Sequence, residues 1–291
     1  MRMIRISFLK VLLSVLVIVV AALIAIILHA LVPAKVDESL FDSLLVIKYG
    51  FPFVAVLYFF ILFSHCTIIL FINRNTLINS RRRSIINFAL SFALLYMIGM
   101  QEIIFGSNPY SQWGIQYLFY QVWMGVGDAL PIILLCLIIG LIFFPKRIDQ
   151  EDKKKGIDSI LIIIFLIFIG TIRLLTSLLG VIKNSIFDYP VPVAIWGYIL
   201  GFIFGIIYLM IQNTTKLKLE TMIFGIGLNW IIFNSFIGMI KKNSMLDSVL
   251  RSLIDIASIF IAITLSTMIQ KKIREGNRPR PPGSGDQGIA Q

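Results

Sequence analysis

Charge is what this chain has least of. Only 14% of its 291 residues are Asp, Glu, Lys or Arg, against 58% that are hydrophobic. A soluble domain carries about 25% charged residues. A folded surface in water needs polar cover that this composition does not supply, so lipid has to solvate much of it. Histidine and cysteine are scarcer still, two of each. Cys66 and Cys136 fall inside apolar runs with no CxxC spacing. That excludes a disulfide framework or thiol-redox motif and leaves two small buried hydrophobes. His29 and His65 lie at different depths of different apolar runs, too far apart to share a metal, and packing roles are expected for both. Catalytic signatures are missing too: HExxH, GxSxG and the phosphate-binding GxxxxGK[ST] do not occur. No serine stands at a helical spacing from a histidine that would let the ring act as its base. No internal repeat is evident. The expectation is no metal site and no cofactor.

What is present is a series of long apolar runs. A helix needs about 20 mostly apolar residues to cross a hydrocarbon core about 30 Å thick. Runs of that kind cover about 8–32, 50–72, 84–106, 125–145, 158–181, 191–212, 220–240 and 249–270. Lipid offers the backbone no hydrogen-bond partner, so each run must be a helix or a barrel strand. The runs do not alternate apolar and polar residues, which excludes a barrel. The fold class expected is therefore all-α: a polytopic helix bundle of about eight spans, forming one domain over 1–274. Residues 275–291 (EGNRPRPPGSGDQGIAQ) read as a disordered tail. The first run is longer than the apolar core of a signal peptide, and Ala-Leu-Val-Pro-Ala (30–34) only loosely resembles a cleavage site, so an uncleaved first helix is expected.

The net charge of +11 would point to nucleic acid in a soluble protein. Here its distribution gives an orientation instead. With the N-terminus inside, nineteen of the 26 Lys and Arg fall on the cytoplasmic side, among them Arg2, Arg5, Arg81–Arg83, Lys153–Lys155 and the tail. Only Lys35, Lys48, Lys183, Lys241 and Lys242 fall opposite. Basic residues retained inside orient a membrane protein, so both termini are expected in the cytoplasm of a cell (plasma) membrane, with no nucleic-acid partner. Before the fourth span, residues 107–124 read SNPYSQWGIQYLFYQVWM, with Trp113, Tyr117, Tyr120 and Met124 at helical spacing. This predicts an aromatic interfacial or re-entrant segment. Gly125, Gly127 and Pro131 also allow a longer, kinked fourth crossing.

An ionisable group inside a span costs about 2.5–3.5 kcal/mol on insertion scales, so it faces a partner or a wet cavity. Glu102, Asp128, Arg173, Arg251 and Asp255 are such groups, and Asn229 and Asn234 add amides. Asp247, Arg251 and Asp255 are spaced by four and share one helical stripe. In the orientation above, all of them fall in the outer half of the membrane or at its edge. This predicts an outward-facing polar cavity centred on Arg173, with Glu102 and Asp128 as its first counter-charges and Asp255 next. Structural ion pairs between helices would use the same residue types. Gly197, Gly201 and Gly205 form two overlapping GxxxG steps, expected to pack helices closely. Three functions fit. The first is transport or binding of a small polar or lipidic ligand. The second is a non-catalytic membrane subunit docking a membrane or cytoplasmic protein. The third is an intramembrane enzyme acting on a lipid-linked substrate.

Overall fold

The structure, a computed structural model, describes residues 8–31, 41–77, 80–102, 115–144, 159–212 and 214–276. The elements among them are helices: α1 (Phe8–Ala30), α2 (Leu44–Tyr49), α3 (Phe51–Asn73), α4 (Arg81–Glu102), α5 (Ile115–Phe143), α6 (Ser159–Leu178), α7 (Pro190–Gln212), α8 (Lys218–Glu220), α9 (Leu228–Ile240) and α10 (Met245–Gly276). A π-helical stretch, Thr221–Gly227, joins α8 to α9. Eight helical segments are long and apolar enough to cross a membrane, the seventh of them running Lys218–Ile240 through that π-helical stretch. The chain is an all-α polytopic bundle and a multi-pass membrane protein.

Each short connection is set by local chemistry. The Ser43 hydroxyl caps α2 by accepting from Val46 N at 3.1 Å, and donates to Met239 O at 2.6 Å. Gly50 then turns the chain into α3 with φ of 81°. That left-handed conformation costs a residue with a Cβ, and Pro52 follows in the first turn, where its missing N–H is no loss.

Hydrogen bonds across the connections define the two ends of the bundle. At one end, Ser43 N donates to Ile240 O, Lys242 N to Asp42 Oδ1, and Lys183 N to Asp247 Oδ1. At the other, Lys216 N donates to Thr76 O, the Thr215 and Thr221 hydroxyls donate to Asn73 Oδ1, and Arg81 bonds the last carbonyls of α5. Alternating helices therefore run in opposite directions. The C-terminal ends of α1, α4, α6 and α9 share the first end with the starts of α3, α5, α7 and α10.

Between the ends lies an apolar interior in which Phe63, Phe88, Phe92, Phe165, Phe204, Tyr96 and Trp230 are fully buried. The glycine stripe of α7 lies against α6. A Cβ on Gly201 would stand 2.6 Å from Phe165 O, and one on Gly205 3.1 Å from Ile162 Cα. Helix α1 is the outlier. It buries only Ser14, Ile18, Ala21, Ala22 and Ala25, and most of its large side chains face outward. Small residues on that stripe let α1 approach its neighbours closely.

The aromatic stretch before the fourth span is helical from Ile115 and continues without a break into α5, with Pro131 inside that helix. Residues 107–114, including Trp113, lie outside the described residues, as do 277–291.

Candidate functional site

Helix α10 supplies the frame. Its residues 247, 251 and 255 follow one another at one turn each, about 12 Å from first to last at 1.5 Å per residue. Arg173 stands about a turn and a half before the end of α6, Glu102 is the last residue of α4, and Trp230 sits in the first turn of α9. Four helices thus deliver their polar groups to one seam.

The groups alternate in sign. Asp247 Oδ2 accepts from Arg251 Nη2 at 2.6 Å, and Arg251 Nη1 donates to Glu102 Oε1 at 2.7 Å. Arg173 Nη1 donates to the same Oε1, also at 2.7 Å. The rest of the Arg173 guanidinium grips Asp255 as a fork, Nε to Oδ1 at 2.6 Å and Nη2 to Oδ2 at 2.5 Å. Trp230 Nε1 donates to Asp255 Oδ2 at 2.7 Å and ends the series. A forked, charge-assisted pair is the strong form of this interaction.

Exposure falls steadily along this ladder. Side-chain exposures run 24% for Asp247, 16% for Arg251, 8% for Glu102, 4% for Arg173 and 1% for Asp255. The ladder therefore leads from the end of the bundle into its interior. It holds three carboxylates and two guanidinium groups, so one negative charge is left over if all are ionised. The Arg173 guanidinium also lies 5.1 Å from the Trp196 ring, a cation–π contact. Gly197 lies beside Arg173, where an added Cβ would make an ordinary contact 3.4 Å from Arg173 Cβ.

Two buried atoms in the ladder have no hydrogen-bond partner among the described residues. They are Glu102 Oε2, an acceptor, and Arg251 Nε, a donor. Leaving a buried polar atom unmade costs about 1–3 kcal/mol, more when charged. Beside Arg173 a recess is lined by Ser177, Asn184, Val193, Trp196 and Gly197, with about 200 Å³ of empty space including the part open to solvent. It is small for a substrate chamber, since ligand pockets span about 300–1,000 Å³.

Below the ladder, Trp230, Phe233 and Tyr96 stack in parallel, with ring centroids 5.6 and 5.0 Å apart. Beneath the stack is a second polar group. Tyr96 Oη donates to Asn229 Oδ1 at 2.8 Å, while Asn229 Nδ2 reaches Cys66 Sγ at 3.2 Å and His65 Nδ1 at 3.3 Å. Cys66 and Cys136 are both free and buried.

The structure brings together Arg173, Glu102, Asp255, Arg251 and Asp247. It does not bring Asp128 to Arg173. Asp128 pairs instead with His29 at 3.3 Å, across the contact between α5 and α1. Asn229 belongs to the cluster below the stack, and Asn234 donates to Trp230 O of its own helix. The open cavity expected around Arg173 is instead occupied by the mutual contacts of its charged groups. The sequence did not single out Trp230 and Trp196. An indole N–H inside a span needs an acceptor, and Trp230 Nε1 finds Asp255 while Trp196 Nε1 finds Ile98 O.

No family model matches this chain, and no curated protein or solved structure matches it either.

Proposed function

We propose that this multi-pass membrane protein binds a small polar or lipidic ligand at the ladder, as a transporter or a membrane receptor, in a cell membrane with both termini cytoplasmic. In that orientation the ladder opens toward the external side. One observation carries the reading. Within the charge network, Glu102 Oε2 and Arg251 Nε are buried with no hydrogen-bond partner among the described residues. A ligand bearing both a donor and an acceptor would satisfy both: an ammonium or hydroxyl group for Glu102, a carboxylate or phosphate for Arg251. A zwitterionic solute or lipid headgroup has that chemistry. Among the described residues Glu102 is held through Oε1, so an incoming group can recruit Oε2 without first dismantling the Arg173–Asp255 fork.

The test is a thermal-shift series on purified protein in lipid nanodiscs, with zwitterionic, cationic and anionic small molecules and with headgroup analogues. A ligand at about 100 times its dissociation constant stabilises the fold by about 2.7 kcal/mol. The reading expects stabilisation by a zwitterionic probe in the wild type and none in Glu102→Gln. Equal shifts in both proteins would refute it.

A second reading is favoured by the forked Arg173–Asp255 pair. Here the ladder is a clasp between four helices, in a non-catalytic subunit that docks a membrane or cytoplasmic protein. Affinity capture from the native membrane separates the two, because this reading requires a stoichiometric protein partner.

A further inference from the structure

A second ionisable pair, its carboxylate buried and its imidazole partly so, lies at the same end of the bundle, on helices the ladder does not use. His29 is in the last turn of α1, and Asp128 is 3% exposed on α5. His29 Nδ1 lies 2.7 Å from Ala25 O, one turn back along its own helix. A carbonyl oxygen only accepts, so Nδ1 carries the ring proton. The other ring nitrogen, Nε2, lies 3.3 Å from Asp128 Oδ1. A neutral ring protonated at Nδ1 presents a lone pair at Nε2. An ionised carboxylate would set a second lone pair against it, in a site where an unmade polar contact is costly. One added proton turns this opposition into a bond. Either Nε2–H donates to the carboxylate, or the carboxyl O–H donates to Nε2. Both arrangements hold the same number of protons.

The surroundings are built for this contact. Gly127 brings the α5 backbone up to the imidazole, since a Cβ there would stand 3.0 Å from His29 Cε1. Phe59 of α3 tilts against the ring at 5.5 Å. Trp123 Nε1 of α5 donates to Leu28 O, tying down the same end of α1. Pro131 has no N–H to offer Gly127 O, so α5 lacks one helical bond at this level.

Among the described side chains, other titratable groups on the packed helices are engaged or remote. On α3, Tyr58 donates to Phe233 O at 3.3 Å, and His65 and Cys66 belong to the Asn229 cluster. On α5, Cys136 is two turns beyond Asp128. On α1, Lys10 is at the far end. Glu102 of α4 is held by Arg173 and Arg251.

We infer that His29 and Asp128 form a one-proton binding site that fastens the first span to the fourth. The ligand is the proton itself, and its loss leaves two acceptors opposed across the α1–α5 contact. The pair sits within the packing of α1 on α5 and α3, so its proton adjusts how this end of the first span is attached.

Nitrogen-15 magnetic resonance of histidine-labelled full-length protein in nanodiscs reads the ring directly, with His29→Gln assigning the signal. Near neutral pH the inference expects His29 protonated at Nδ1, with Nε2 either protonated or accepting a strong hydrogen bond. Raising the pH should release one more proton from the wild type than from Asp128→Asn, whose amide N–H replaces the shared proton. A wild-type ring with bare, unbonded Nε2 near neutral pH, or with its proton on Nε2 and none on Nδ1, would overturn the inference. The wild-type spectrum decides this even if Asp128→Asn does not fold.

Discussion

Arg173 and Arg251 converge on one oxygen of Glu102. Both donate to Oε1 at 2.7 Å, while Oε2 of the same carboxylate is buried without a hydrogen-bond partner among the described residues. A carboxylate shared end-on by two cations joins the deep pair, Arg173–Asp255, to the shallow pair, Arg251–Asp247. Energetically, the five side chains should behave as one unit.

Asp255→Ala removes the forked partner of a buried guanidinium and the acceptor of Trp230 Nε1. Breaking a buried pair from one side costs about 3–5 kcal/mol. Arg173→Met should cost a similar amount. The double variant should cost well under the sum, because neither charge is then left alone. Unfolding in mixed detergent micelles measures all three, and simple additivity would show that the two side chains are not coupled.

Trp230→Phe keeps most of the ring in the stack with Phe233 and removes one hydrogen bond to a carboxylate. Bonds of that kind contribute about 1.5–3 kcal/mol. The same unfolding measurement should show a loss in that range, smaller than for Asp255→Ala. A loss near zero would mean that the indole bond adds nothing.

The glycines should differ sharply from one another. A Cβ on Gly201 would lie 2.6 Å from the Phe165 carbonyl, which is backbone, and one on Gly99 would lie 2.4 Å from the Phe233 ring. Overpacking of this kind costs about 1–3 kcal/mol. On Gly197 the nearest atom would be 3.4 Å away, an ordinary contact. Thermal melts should therefore rank Gly201→Ala and Gly99→Ala as damaging and Gly197→Ala as tolerated. The reverse order would contradict the α6–α7 packing.

Orientation is open to direct labelling. In a Cys66→Ser, Cys136→Ser background, single cysteines at Lys183 and Lys241 should react with an impermeant maleimide on intact cells. Cysteines at Arg82 and Lys216 should react only after the membrane is opened. The opposite pattern would invert the molecule and place the ladder on the cytoplasmic side.

The spans were legible in the sequence because hydropathy over about 20 residues is set by the lipid core and needs no knowledge of neighbours. The stripe 247–251–255 was legible for a similar reason, since a spacing of four fixes one helix face. Sequence position gives depth but not direction around a helix axis. That is why sequence alone pairs Asp128 with Arg173, although Asp128 faces α1 and His29. The same gap made His29 read as simple packing. The π-helical stretch at Thr221–Gly227 leaves no hydropathy signature either, because TMIFGIG is as apolar as the helices beside it. Closure of the ladder on itself depends on how four helices are rotated, which no single run reveals.

The central claim is that Glu102 and Arg251 keep unused hydrogen-bonding capacity for a ligand. Native mass spectrometry of the protein released from its own membrane tests this most directly, comparing wild type with Glu102→Gln at matched folding. The account predicts a bound polar or lipid species of discrete mass on the wild type that is lost or strongly depleted in the variant. Identical bound species on both proteins, or none on either across the zwitterionic probes, would contradict it.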